Sequence, residues 1–201
     1  MNIIGLAEIR KAILSCEKCD LCKTVTNKVV GEIGVSKSIA FVGEGPGEDE
    51  DMYGRPFVGK SGQLLRGAIK MLGVDLQKVS ILNTVKCRTP NNRVPSTIEI
   101  QFCKDFLEAQ LGYIEPTVVV AVGSVSMKWL TGIEKGITKL NGQTFSSDQY
   151  NLPYLKNSYI HIVVHPSYIL RKGGGVGDYA QNLVPLKCLC EKIGVDCWEV
   201  F

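Results

Sequence analysis

The sequence predicts an α/β fold built on a parallel sheet with helices over both faces. Four short apolar runs, at 39–42, 79–83, 118–122 and 160–164, have the length of strands and carry few polar residues. Strands buried on both faces read this way, whereas a sheet with one wet face alternates. Segments of helical spacing separate the runs, the pattern of parallel strands joined by crossover helices. A chain of 201 residues, 45% of them hydrophobic, can bury one full core, so one domain over 1–201 is expected.

Taken in order, Ile3, Leu6, Ile9 and Ile13 predict a first helix with one buried face. Cys16-Glu17-Lys18-Cys19-Asp20-Leu21-Cys22 follows it directly. After the first strand, 43–65 reads as a long loop leading into a helix over Leu64, Leu65, Ala68, Ile69 and Leu72, with Ser61 as its N-cap. Beyond the second strand, Ser96-x-x-Glu99 is a capping box opening the helix that carries Cys103. Pro116 suits the entry to the third strand, and Met127, Trp129 and Leu130 mark a short helix after it. Residues 132–158 are turn-rich and predict a hairpin or an irregular excursion around Asn141-Gly142. The fourth run leads into His165-Pro166-Ser167, and Tyr168, Ile169 and Leu170 then sit in a loop as either satellite core or a wedge for a partner. In the last helix Asp178 can cap, Leu183, Leu186, Cys190 and Ile193 line one face, and Pro185 should kink or restart it.

Parallel sheets bind ligands at the carboxyl ends of their strands. Gly43, Asn83 and His165 all fall there, whereas His161 lies inside its strand and reads as packed. Gly43, Gly45 and Gly47 let the chain turn sharply and present bare amides. A dinucleotide fingerprint fails, because Glu48 stands at its third glycine and Glu48-Asp49-Glu50-Asp51 would repel a pyrophosphate. A solvated acidic loop is the plainer alternative, but the flanking Arg55-Pro56-Phe57 favours a site. Eight cysteines in a chain whose first residues lack a signal-peptide pattern point to metal or redox chemistry and to the cytoplasm. Cys16, Cys19, Cys87 and Cys103 are the candidate ligands, and their spacing does not separate zinc from iron–sulfur. Cys22, Cys188, Cys190 and Cys197 remain over; Cys188 and Cys190 read as core. No apolar run is long enough to span a membrane, and a net charge of +3 permits nucleic-acid binding without arguing for it.

Together the motifs resemble the family 4, iron–sulfur uracil-DNA glycosylases of archaea and thermophilic bacteria. The resemblance rests on Cys16-x-x-Cys19, Gly43-Glu44-Gly45-Pro46-Gly47, Gly54-Arg55-Pro56-Phe57-Val58-Gly59, Asn83-x-x-Lys86-Cys87-Arg88 and His165-Pro166-Ser167. It implies a three-layer α/β/α sandwich with a central four-stranded parallel sheet, and a [4Fe–4S] cluster on the four cysteines in a subregion formed by 16–22 and 87–103. It implies a repair enzyme that flips uracil out of DNA and hydrolyses its N-glycosidic bond. His165, Glu44 and Asn83 become the catalytic residues, with Gly45, Glu50 and Phe57 completing the base pocket. Phe57 would stack on uracil, Asn83 would read its edge, His165 would donate to O2, and Glu50 would obstruct a thymine methyl. Gly45 stands where better-known relatives carry a water-orienting aspartate, which leaves Glu44 or a backbone-held water for that task. The stretch 88–93 lacks the histidine with which a related branch traps the sugar, so turnover is expected. Tyr168, Ile169 and Leu170 would fill the gap in the duplex, and Arg171, Lys172, Lys86, Arg88 and Arg93 would hold phosphates. The partner is uracil-containing DNA, bound by a monomer, with a sliding clamp or other repair proteins as candidates and no membrane. An electron-transfer module would explain the cysteines but leave Phe57, Asn83 and His165 without a purpose; a silent relative that binds uracil without cutting stays open.

Overall fold

The computed structural model describes residues 5–35, 38–134 and 136–195; Ile3 and Cys197 lie outside them. All four apolar runs are strands: β1 (Ile39–Gly43), β2 (Ser80–Asn83), β3 (Val118–Val122) and β5 (Tyr159–Val163). The sheet runs β2-β1-β3-β5-β4, and the first four of these are mutually parallel. The order explains the composition. Ile39, Phe41, Val118 and Val120 point into one core with Leu65, Ile69 and Leu183. Ala40, Val42, Val119 and Ala121 point into a second core with Leu107, Leu111 and Met127. Each strand must therefore be apolar at odd and even positions alike.

The fifth strand was not expected. β4 (Thr144–Ser146) pairs antiparallel with β5 at the sheet edge, so the excursion at 132–158 does contain a hairpin, but its turn is the long segment after β4. Three half-buried residues, Thr-Phe-Ser, carry no legible period. At the opposite edge, the segment around Glu32 bridges antiparallel to Ile81 and covers β2.

The helices are α1 (Leu6–Leu14), α2 (Glu48–Tyr53), α3 (Lys60–Met71), α4 (Thr97–Ile114), α5 (Ser124–Thr131), α6 (Pro166–Arg171) and α7 (Val176–Ile193). In α1, Ile9 and Ile13 are buried, packing with Val30 and Phe106. Several expectations are corrected. The acidic run is the short helix α2, because its carboxylates crowd the amide-rich N-terminal turn where negative charge is stabilising. α3 starts after Gly59 rather than at a Ser61 cap. Tyr168, Ile169 and Leu170 lie in α6, and α7 runs unbroken through Pro185. Asp178 works from inside α7, accepting the Gly175 N–H at 2.8 Å. Cys190 is core as expected, but Cys188 is exposed. The Ser96 capping box forms as read, with Glu99 accepting the Ser96 N–H at 2.7 Å.

Candidate active site

β1 and β2 end in register, with Gly43 opposite Asn83. The edge they share with β3 and β5 opens into a cleft of about 690 Å³, whose lining includes Glu44, Gly45, Glu50, Phe57, Asn83 and His165. The predicted base-pocket residues therefore come together.

Gly43 is bare for a reason visible in its neighbours. A Cβ there would stand 2.5 Å from Phe57 Cζ and 2.6 Å from Asn83 Oδ1. Ring and amide thus lie directly on the strand end. Phe57 adopts φ 53°, a left-handed conformation that costs a bulky residue on the order of 1 kcal/mol. Two contacts impose it. Arg66 donates from Nε to the Phe57 carbonyl at 2.9 Å and from Nη2 to the Pro56 carbonyl at 2.8 Å. Gly62 lets α3 press onto the same peptide, since a Cβ there would fall 2.0 Å from the Phe57 carbonyl carbon. The Phe57 and His165 rings face each other across the cleft, centroids 6.3 Å apart.

Asn83 is 2% exposed, and its Oδ1 is buried with no hydrogen-bond partner. An orphaned buried oxygen costs about 1–3 kcal/mol, so Asn83 carries an acceptor that the protein itself leaves unsatisfied.

His165 caps α6. Its Nδ1 receives the Ser167 backbone N–H at 3.2 Å. An amide can only donate, so Nδ1 accepts, and the neutral ring carries its proton on Nε2. Ser167 Oγ lies 2.9 Å from the same nitrogen and accepts from Arg171 Nη1 at 3.0 Å. Burial, with the Arg171 charge acting in the same direction, holds the imidazole well below its usual range, at about 4. At neutral pH it is an uncharged donor.

Glu44 is half-buried, and burial raises its carboxyl above the usual range. Glu50 accepts three backbone N–H groups, from Gly47 at 3.1 Å and from Val58 and Gly59 at 2.8 Å each. Its carboxylate thereby ties the start of α2 to the start of α3. A Cβ on Gly45 would stand 2.7 Å from Val85 Cγ2, so any larger residue here would have to displace the Val85 side chain.

The cysteines gather beside the cleft, and Cys87 lies in its lining. Burial is the largest cause raising the Cys87 thiol, to about 12, and Cys103, Cys19 and Cys16 add to it. Cys103 is likewise raised by burial and by Cys19 and Cys16, against a hydrogen bond from the Lys86 backbone N–H. The four candidate thiols are thus close enough to influence one another electrostatically. Among the described residues no three His, Cys, Asp or Glu side chains form a group that could hold a single metal ion.

The profile of the Uracil DNA glycosylase superfamily matches residues 30–184. The type-4 uracil-DNA glycosylase of Thermotoga maritima is 40% identical over 81% of this chain and 82% of its own length. That of Archaeoglobus fulgidus is 35% identical over 94% of both chains, and that of Sulfurisphaera tokodaii 40% identical over 82% of this chain and 73% of its own. The chain belongs to the type-4 uracil-DNA glycosylases.

In this glycosylase the predicted phosphate contacts separate. Arg171 and Lys172 are exposed at the end of α6, with Lys172 Nζ 4.6 Å from the centroid of the Tyr168 ring. Lys86 is 2% exposed and donates to Asn83 O at 2.8 Å and Gln110 Oε1 at 2.6 Å. It is enclosed in the core and cannot meet a phosphate. Arg93 is engaged by both oxygens of Glu99, at 2.8 and 2.6 Å, and Arg88 by Asn92 at 2.8 Å. Both brace the turn after Cys87, where Asn91 and Asn92 take positive φ. The predicted wedge divides too: Tyr168 and Ile169 pack against the core, while Leu170 is 37% exposed.

Several site residues left no local signal. Arg66 reaches Glu32 at 2.7 Å as well as the Phe57 loop. Asp51, 6% exposed, accepts the Thr26 and Asn27 N–H groups at 3.0 Å and anchors the segment after the cysteine turn to α2. Only Gly62, a glycine inside the first turn of a helix, could have been flagged as a close backbone approach.

Proposed function

We propose how this uracil-DNA glycosylase excises its base. A base in a duplex is out of reach, so the nucleotide is flipped into the cleft. Phe57 stacks on the pyrimidine. Asn83 Oδ1 accepts uracil N3–H while its amide NH₂ donates to O4; cytosine, with a donor at position 4 and a bare N3, meets the wrong group at both places. Glu50 closes the side where a thymine methyl would project, and its three amide contacts keep it from swinging aside.

As the C1′–N1 bond breaks, its electron pair leaves with uracil and negative charge gathers at O2. His165 donates there from Nε2, joined by the amides of the 44–45 turn. Glu44 orients the attacking water and receives its proton as the oxygen bonds to C1′. The neighbouring carboxylates offset the positive charge on the sugar. Free uracil and an abasic site result, without a covalent adduct.

The orphaned Asn83 oxygen beside a neutral His165 donor carries this reading, because the pair matches the N3–H and O2 of one uracil. A duplex with one G·U pair should yield alkali-labile abasic sites, and a G·T duplex should not. No release from G·U by iron-loaded protein would discard the reading; release from both would discard the role of Glu50.

The proposal includes a [4Fe–4S] cluster on Cys16, Cys19, Cys87 and Cys103, supported by membership of the type-4 family and by the mutual electrostatic influence of the four thiols. When bound, the cluster supplies a rigid, negatively charged cross-link. The cysteines then pin the 16–23 turn and the 87–95 turn beside the cleft, and four iron and four sulfide per chain are the expected analysis. Leu170 enters the duplex gap, and Arg171 and Lys172 hold phosphates. The enzyme works as a cytoplasmic monomer; among the described residues no helix is long and apolar enough to cross a membrane.

A further inference from the structure

Among the described residues, Phe57 is the one aromatic at positive φ; the other non-glycine residues there are asparagines and a glutamate. Asparagine tolerates that conformation, whereas a bulky ring resists it. Such strain persists only where the surroundings over-determine the backbone. Here they converge on one guanidinium. Arg66, on α3, donates to the carbonyls of Pro56 and Phe57 at 2.8 and 2.9 Å. Successive carbonyls point to opposite sides of an extended chain and to the same side in a helical turn. A rigid fork that donates to both therefore excludes the extended conformation at Phe57, which would re-aim the ring.

The fork is itself fixed. Its Nη2 also donates to Glu32 Oε2 at 2.7 Å, and the pair is largely enclosed, with 17% and 29% of the two side chains exposed. Glu32 belongs to the segment that covers β2: its N–H donates to Ile81 O at 2.9 Å, and its carbonyl accepts the Ile81 N–H at 2.8 Å. Ile81 lies two residues before Asn83 in that strand. The other oxygen of Glu32 accepts from Arg55 Nη2 at 2.9 Å, at the start of the Phe57 loop. Reader strand and stacking loop thus share one carboxylate.

The structure assigns Arg66 a part in uracil recognition as a positioning residue: braced by Glu32 on the edge of β2, it locks the Phe57 peptide left-handed and so holds the stacking ring beside Asn83. The inference rests on the reading of Phe57 as the stacking ring given above. Arg66 is not among the residues lining the cleft, so it acts on the base only through the loop it holds. A ring already in place spares the incoming base the cost of ordering it.

The test is Arg66→Met, which keeps an apolar stem and removes the fork. Single-turnover release of uracil from a G·U duplex, at matched iron content, should fall about tenfold, the worth of one base–aromatic stack. The inhibition constant of free uracil should rise about as much, while affinity for a duplex without uracil stays within about twofold. Arg66→Lys keeps the charge opposite Glu32 but has no planar fork for two carbonyls. It should retain most of the thermal stability and still lose release, which a merely structural ion pair would not do; it also serves where the methionine variant does not fold. In a Phe57→Ala background, Arg66→Met should have little further effect on release, because the ring it positions is gone. Wild-type release by either folded Arg66 variant, or an undiminished loss in the Phe57→Ala background, would overturn the inference. Wild-type release by Phe57→Ala alone would instead overturn the reading of the ring, which keeps the two failures distinct.

Discussion

Gly43→Ala tests whether the base reader and the stacking ring are fixed by one strand end. The residue is not at positive φ, so alanine introduces no backbone strain there. What it introduces is volume. Its Cβ would stand 2.5 Å from Phe57 Cζ and 2.6 Å from Asn83 Oδ1, where ordinary contact begins at 3.4 Å, so each group must retreat by roughly 1 Å. β1 cannot give way, because it is paired on both sides, to β2 and to β3. Overpacking of this kind costs about 1–3 kcal/mol, which for a chain of this size lowers Tm by roughly 2–12 °C. The effect on release should be larger in proportion, since a displacement of about 1 Å at a reacting centre costs about a hundredfold, or some 2.7 kcal/mol of barrier. Single-turnover release well below the variant's Tm, at matched iron content, measures it. Gly177→Ala is the control, because a Cβ there meets nothing within 4 Å and it should keep the wild-type rate. A folded Gly43→Ala protein that released uracil within threefold of wild type would refute the reasoning.

Asn83→Ala removes the buried amide that the proposed reading sets against the pyrimidine edge and should slow release by at least two orders of magnitude; a cleavage assay with G·U and single-stranded uracil substrates reads it directly. His161 and His165 stay neutral in the fold down to about pH 4, whereas the unfolded chain protonates them near 6.5. Their contribution to stability is therefore complete above pH 6.5 and lost as pH falls toward 4, at on the order of 1.4 kcal/mol per pH unit for each. Urea midpoints at pH 7 and 5 should show the loss, and release should show no inflection near 6.5. Glu50→Ala frees the Gly47, Val58 and Gly59 amides, so it should lower Tm and raise thymine release relative to uracil release; an unchanged ratio would remove Glu50 from discrimination. Asp49→Asn, at the cleft lining, should tighten duplex binding and slow release, and a filter-binding titration beside single-turnover rates separates the two.

The sheet was legible because four of its strands are buried on both faces, and such burial demands the unbroken apolar runs at 39–42, 79–83, 118–122 and 160–164. The base pocket was legible because strand ends at one edge must be neighbours: once Gly43, Asn83 and His165 were placed at carboxyl ends, the topology brought them together. What stayed hidden depends on contacts with no sequence period. β4 is three residues at an edge and owes its existence to β5. The acidic run read as a loop because its charges hid a helix bracketed by Gly47 and the left-handed Gly54. Lys86 read as a phosphate contact because a cation in a sequence carries no mark of burial or of an internal partner. For Tyr168 and Ile169 the sequence left satellite core and wedge both open, because the helix that turns them onto the core is only six residues long.

An enzyme that must hold a polyanion has nevertheless placed Glu44, Glu48, Asp49 and Glu50 around its cleft. In the proposed mechanism these carboxylates oppose, in the ground state, the phosphates on either side of the flipped nucleotide. In the transition state the sugar becomes cationic while the phosphates keep their charge, so only the attraction grows. Interactions that are unfavourable or neutral before the bond breaks and favourable as it breaks raise the rate, whereas uniform affinity does not. In the proposed mode of binding, the exposed cations at the end of α6 supply the affinity that the carboxylates give up. Steering and chemistry are thus assigned to opposite charges on neighbouring elements. His165 sits at their meeting point, where burial, with the Arg171 charge acting in the same direction, keeps the ring neutral, and in the proposed mechanism that uncharged ring donates to O2.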